Sequence, residues 1–87
     1  MNIKKDTIQT FADNITGLVD AVRRYEENKT ANNEARMYRE KRYIAGFVLF
    51  YACQEGISNG QALTLLMDLA TSLFDSERAI VEGLFNY

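Results

Sequence analysis

The segment between residues 43 and 53 has no polar face. It reads Tyr-Ile-Ala-Gly-Phe-Val-Leu-Phe-Tyr-Ala-Cys, so at helical spacing apolar residues point in every direction. A helix on the surface of a small protein normally carries an apolar stripe and a polar face. The segment therefore predicts a helix that is covered on all sides, either by its own chain or by another molecule.

Two apolar stripes run along this helix, each with the spacing i, i+3, i+4, i+7. The first contains Ile44, Phe47, Val48 and Tyr51, and the second contains Gly46, Leu49, Phe50 and Cys53. The pattern does not say which stripe faces the core. We read the helix as running from about Glu34 to Glu55, with Gly56 ending it in the left-handed conformation.

A first helix precedes this one and is clearly amphipathic. Asp6 is predicted to cap it, with Gln9 completing a capping box. Its apolar stripe comprises Ile8, Phe11, Ile15, Leu18, Val22 and Tyr25. The polar stretch 26–34 is predicted to connect the two helices, with residues 30–33 capping the second. A continuous solvated helix through this stretch is the alternative, because it contains no strict helix breaker.

Two further helices are predicted after Gly56. Ser58 and Gln61 form a second capping-box pattern at the start of a helix that is apolar on two sides as far as Phe74. Asp75 or Ser76 is predicted to cap a short last helix. The fold class is therefore all-α: one domain, residues 1–87, with three longer helices and a short C-terminal helix.

The second and third helices together carry more apolar surface than a chain of 87 residues can readily cover. Large exposed apolar patches are rare on soluble monomers, so this surplus predicts a homo-oligomer or another protein partner. The predicted interface residues are Tyr43, Phe47, Phe50, Tyr51, Leu66 and Phe74. The alternative is that the helix boundaries differ and the excess belongs to the core.

The composition of the chain argues against a catalytic, metal-binding or cofactor-binding site. The chain has no histidine, which removes the commonest general base and metal ligand, and we predict no catalytic residue, metal site or cofactor. Its single cysteine, Cys53, is predicted to be a buried, inert thiol. No apolar leader is evident, and the longest uncharged stretch is about a dozen residues where a bilayer span needs about 20. We therefore expect a cytoplasmic protein without a membrane segment.

The segment 36–43 is the one place where the sequence suggests a polar ligand. It interleaves cations with tyrosines, a combination that can hold phosphates and stack bases. The candidate ligand-binding residues are Arg36, Tyr38, Arg39, Arg42 and Tyr43. The plainer interpretation is a solvated helix start whose arginines pair with nearby carboxylates. Nucleic acid is a weak candidate, because the formal net charge is −2.

These observations favour a non-catalytic interaction module, an adaptor, inhibitor or regulatory factor of the kind that phages and mobile elements often encode. It would bind itself or another protein through the apolar surface of its second and third helices. The alternative is a module that binds an anion, a nucleotide or nucleic acid through residues 36–43. An enzyme is the weakest of the three interpretations.

Overall fold

The computed structural model describes residues 4–70 and 75–87, and this part of the chain folds into four α-helices. They are α1 (Lys5–Glu27), α2 (Ala31–Glu55), α3 (Asn59–Leu69) and α4 (Asp75–Phe85). The predicted all-α class is confirmed. The predicted lengths are wrong for one element, because α3 leaves the helical conformation at Ala70 and is as short as α4, at 11 residues each.

The ends of the helices test the capping predictions. Thr30 caps α2 by accepting a hydrogen bond from the Asn33 backbone N–H, and Gly56 ends α2 with a φ of 66°. The Ser58–Gln61 capping box is present in full at the start of α3. The prediction for α1 is wrong, because the helix begins at Lys5 and Asp6 lies inside its first turn. The prediction that Asp75 or Ser76 caps the last helix is also wrong, because both residues lie inside α4, and the residue before Asp75 lies outside the described residues.

The connection between α1 and α2 is short and held by polar contacts. Asn28 adopts an extended conformation, so the two helices are separate and the alternative of one continuous helix is excluded. The side-chain amide of Asn33 donates to the Asn28 carbonyl at 2.8 Å. The Tyr25 hydroxyl donates to a Glu34 carboxylate oxygen at 3.0 Å, which ties the end of α1 to the start of α2.

The core lies between α1 and the inner sides of the other helices. Phe11, Ile15 and Leu18 of α1 are completely buried, as the stripe predicts. The other buried apolar residues that form this core include Val19, Val22, Ile44, Val48, Tyr51, Ala52, Ala62, Leu63, Leu66, Met67, Ala70 and Val81. The first of the two stripes on α2 therefore faces the core, and the second faces away from it.

Among the described residues, two ionic contacts link different helices. The Arg36 guanidinium of α2 donates to the Asp20 carboxylate of α1 at 3.1 Å. Arg78 of α4 pairs with Asp68 of α3. Both pairs are partly open to solvent, so each contributes to the arrangement of the helices more than to the free energy of folding.

Candidate interaction surface on the second helix

The side of α2 that faces away from the core carries the second stripe. We name this surface the α2 outer face and define it by Arg39, Arg42, Tyr43, Gly46, Leu49, Phe50 and Cys53, all of which are exposed. They recur at spacings of three and four residues, which places them in one band along the helix. The helix thus has one buried side and one exposed side, although its sequence is apolar on both.

The apolar part of the α2 outer face is large for a single helix. Phe50 is 71% exposed, Tyr43 60% and Leu49 53%. A side chain can reach this degree of exposure only where no neighbouring element covers it. On the opposite side of α2, Ile44 and Val48 are completely buried in the core, whereas this band stays open to solvent.

Cys53 belongs to this exposed band. Its prediction as a buried thiol is wrong, because the residue is exposed. The error has a simple cause. Cys53 lies in a continuous apolar run, but it follows the outward-facing stripe, seven residues after Gly46 and three after Phe50.

The predicted interface residues divide between the surface and the core. Tyr43 and Phe50 lie on the α2 outer face. Phe47 is half-buried at its edge, with its ring 5.2 Å from that of Phe11. Tyr51 and Leu66 are 3% and 1% exposed and pack inside the chain's own core, so they are no part of the surface. The remaining predicted residue, Phe74, lies outside the described residues.

The third helix contributes little exposed apolar surface. Ala62, Leu63, Leu66 and Met67 are buried, so both of its described stripes are largely used by the core. Leu69, at 37%, is the exposed large apolar side chain in its described part. The surplus that the sequence attributes to two helices is therefore concentrated on one.

The basic segment is also divided by the fold. Arg36 turns towards α1 and pairs with Asp20, and hydrogen bonds from Arg24 and Arg36 lower the pKa of that carboxyl. Lys41 turns towards α4, with its ammonium group 5.7 Å from the centre of the Phe85 ring. Arg36 is thus paired with a carboxylate of its own chain and does not line the depression formed by the later arginines.

The remaining basic residues lie at the N-terminal end of the α2 outer face. Arg39, Arg42 and Tyr43 line an open, shallow depression of about 270 Å³. Within the described part of the chain neither arginine forms an ion pair. The fifth candidate ligand residue, Tyr38, is 51% exposed but does not line this depression. The structure therefore brings together three of the five predicted ligand residues.

The described residues form neither a metal-binding cluster nor a membrane-spanning helix. No group of three or more Cys, Asp or Glu side chains there has the arrangement of a metal site. None of the helices in the described ranges is both long and apolar enough to cross a bilayer.

Comparison with known proteins adds no relative. No family model matches the chain. No curated protein and no solved structure matches it either. The interpretation of the α2 outer face therefore depends on its own geometry.

Gly46, Leu49 and Cys53 were not among the predicted site residues, although the stripe that contains them is visible in the sequence. The sequence does not show whether this stripe faces the core or the solvent. The sequence shows two stripes of similar hydrophobicity, and only the positions of α1, α3 and α4 decide which one is covered.

Proposed function

We propose that this protein is a non-catalytic, cytoplasmic interaction module that binds a protein partner through the α2 outer face, as an adaptor, inhibitor or regulatory factor would. The observation that carries the proposal is the clustering of Tyr43, Leu49 and Phe50, each more than half exposed, on one side of one helix. Exposed apolar residues scattered singly need no explanation, but a contiguous band with a polar border is typical of a binding surface.

The energetics of covering this band favour binding. Removing one large apolar side chain fully from water contributes about 1.5–3 kcal/mol. Phe50 and Leu49 keep more than half of their surface in water in the free chain, so a partner that covers them gains much of this energy. Arginines at the edge of the band keep their charges in solvent while their apolar stems extend the contact area.

The shape of the surface indicates how a partner would bind. The band is convex and straight, because it follows one helix, and it would fit against another helix or into an apolar groove. Phe50 is the expected anchor, since aromatic residues near the centre of an interface contribute most of its binding energy.

Co-purification of partners from the native host tests this function. The tagged chain is compared with Phe50→Glu, which places a charge in the band, and with Thr64→Glu, which adds the same charge to an exposed position of α3. We expect partners to be lost with Phe50→Glu and retained with Thr64→Glu, with equal helix content by circular dichroism in all three. Identical partner sets for the two variants would contradict the proposal.

A second candidate function is supported by the depression between Arg39, Arg42 and Tyr43. Two guanidinium groups that form no ion pair with the described residues, next to an aromatic ring, are suited to a phosphate or a nucleotide. This candidate is weaker, because the depression is open and Arg36 is already engaged by Asp20.

Thermal-shift measurements with inorganic phosphate, nucleotides and short oligonucleotides test the second candidate. It predicts a ligand-dependent rise in melting temperature that disappears in an Arg39→Gln/Arg42→Gln variant. An unchanged melting temperature across the panel would exclude it and leave the protein-binding proposal intact.

A further inference from the structure

The α2 outer face has a pattern that is symmetric about Gly46. The other defining residues lie three, four and seven positions on either side of it: Tyr43 and Leu49, Arg42 and Phe50, Arg39 and Cys53. A two-fold axis through Gly46 would bring two copies of this face together as antiparallel helices, with each residue opposite the other member of its pair. This spacing is common to every helical band, and the particular feature of this face is its residue types: the pairs join an arginine to an aromatic ring, Arg42 to Phe50, and two apolar side chains, Tyr43 to Leu49.

We propose that the partner of the α2 outer face is a second copy of this chain, with the two α2 helices antiparallel and crossing at Gly46. This inference rests on the proposed function, because it names the partner of the same surface. A two-fold dimer of this kind uses one patch twice, which is the commonest form of association among soluble proteins.

Gly46 is suited to the crossing point. It is exposed, and a Cβ added at this position would meet no atom of its own chain within 4 Å. The fold of the single chain therefore does not require a glycine here, although glycine in a helix interior costs about 1 kcal/mol relative to alanine. At a helix crossing the missing side chain lets two backbones approach closely, since the interaxial distance depends on the side chains at the contact.

The charges favour the antiparallel orientation. The arginines lie at the N-terminal end of the band and the apolar residues at the C-terminal end, so parallel helices would place like charges side by side. Antiparallel helices place Arg42 against Phe50 of the second copy, where a guanidinium group can stack on the ring. The last turn of α2 contains no basic residue, so the arginines of the second copy would also face its uncompensated carbonyl groups.

The size of the surface predicts a weak, reversible dimer. From Arg39 to Cys53 the band is about 20 Å long, at a rise of about 1.5 Å per residue. A contact of this length along a single helix belongs to the small end of specific interfaces. We therefore expect a dissociation constant in the micromolar range.

Sedimentation equilibrium of the full chain across micromolar to near-millimolar concentrations tests the dimer. The wild-type chain is compared with Gly46→Met and with Gly83→Met, a matched change at an exposed α4 glycine whose added Cβ also meets nothing within 4 Å. We expect Gly46→Met to weaken association at least about tenfold, and Gly83→Met to leave it unchanged. A monomeric wild-type chain, or equal dissociation constants in all three, would overturn the inference.

Disulfide mapping tests the orientation. Arg39→Cys adds a thiol seven residues before Gly46, while the single native thiol, Cys53, lies seven residues after it. Under mild oxidation we expect a disulfide between position 39 of one copy and Cys53 of the other. A dimer linked only through its two Cys53 thiols would overturn the antiparallel arrangement.

Sedimentation and co-purification together distinguish a failed dimer from a failed interaction surface. If the purified chain is monomeric while host partners are still lost with Phe50→Glu, the second-copy inference is wrong and the interaction module stands. If the purified chain is monomeric and Phe50→Glu retains every host partner, both are wrong.

Discussion

Replacing Gly46 measures how much a single glycine lowers the stability of α2. It lies in the interior of α2 with open space where a side chain would be. Alanine there should raise the free energy of unfolding by about 0.5–1 kcal/mol, because glycine loses more backbone entropy on folding. Urea denaturation of the dilute chain measures this.

Gly56 provides the contrasting control for that experiment. Its φ of 66° lies in the left-handed region, where a side chain is strained. Gly56→Ala should therefore lower the free energy of unfolding by about 1 kcal/mol. Equal effects at the two glycines would contradict the backbone description.

Cys53 gives a second prediction at this scale. Because the thiol is exposed, a dilute solution of the folded chain should react with a thiol reagent nearly as fast as the chain in denaturant. At high concentration the reaction should slow if two α2 outer faces meet. A thiol that reacts only after unfolding would show that this side of α2 is covered in the single chain.

The sequence carries no explanation for Gly17, but the structure suggests one. A Cβ at this position of α1 would lie 3.2 Å from a carboxylate oxygen of Glu40 in α2. The glycine therefore leaves room for the Glu40 side chain where two consecutive helices pack together. Such packing is tertiary and leaves no local pattern to read.

At the scale of elements, the start of α3 is the best-defined local feature. The Ser58 hydroxyl accepts a hydrogen bond from the Gln61 N–H at 3.1 Å, and the Gln61 side chain accepts one from the Ser58 N–H at 3.1 Å. Ser58→Ala should lower the free energy of unfolding by about 1 kcal/mol, and Ser58→Asp should restore most of the loss. Thermal denaturation of the three chains checks this, and an unchanged alanine variant would exclude a stabilising role for the cap.

Local patterns predict some elements well and others poorly. The α1 stripe and the Ser58–Gln61 box depend on a few neighbouring residues, and both appear in the structure. The end of α3 at Ala70 does not follow from its sequence, which keeps apolar residues at helical spacing and contains no glycine or proline through Phe74. The sequence likewise does not decide which side of α2 faces the core. Both of its stripes are apolar, and only the packing of the other helices determines which stripe is covered.

At the scale of the whole molecule, Asp20 links stability to pH. Hydrogen bonds from Arg24 and Arg36 hold its pKa below the ordinary value of 3.8. A carboxyl whose pKa is lowered by folding stabilises the native state above its unfolded pKa, and this contribution disappears as pH falls through the folded pKa. Stability should therefore fall as the pH drops below about 4, and less steeply in Asp20→Asn.

Denaturation midpoints between neutral and strongly acidic pH measure this effect. Arg36→Gln is the matched variant, since it removes one of the two donors and leaves Arg24 in place. We expect its acid dependence to lie between those of the wild type and Asp20→Asn. The same dependence of the denaturation midpoint on pH in all three chains would show that the α1–α2 ion pair does not contribute to stability in acid.

The molecule as a whole has a covered and an uncovered side. Its own four helices bury the α1 stripe, the inner stripe of α2 and most of α3, and this leaves the α2 outer face as the main exposed apolar band of the described residues. The sequence indicates an apolar surplus but places it on two helices. The structure confines this surplus to α2. There the arginines at the N-terminal end and the apolar residues towards the C-terminal end lie on the same side of the helix.

Site-specific photo-crosslinking measures whether the α2 outer face contacts a protein. A photoreactive phenylalanine analogue replaces Phe50 in the chain expressed in its native host, and a matched chain carries it at Thr64, an exposed residue of α3. We predict covalent protein adducts, including adducts between two copies of the chain, from position 50 and few from position 64. No adducts from position 50, or equal yields from the two positions, would contradict the claim.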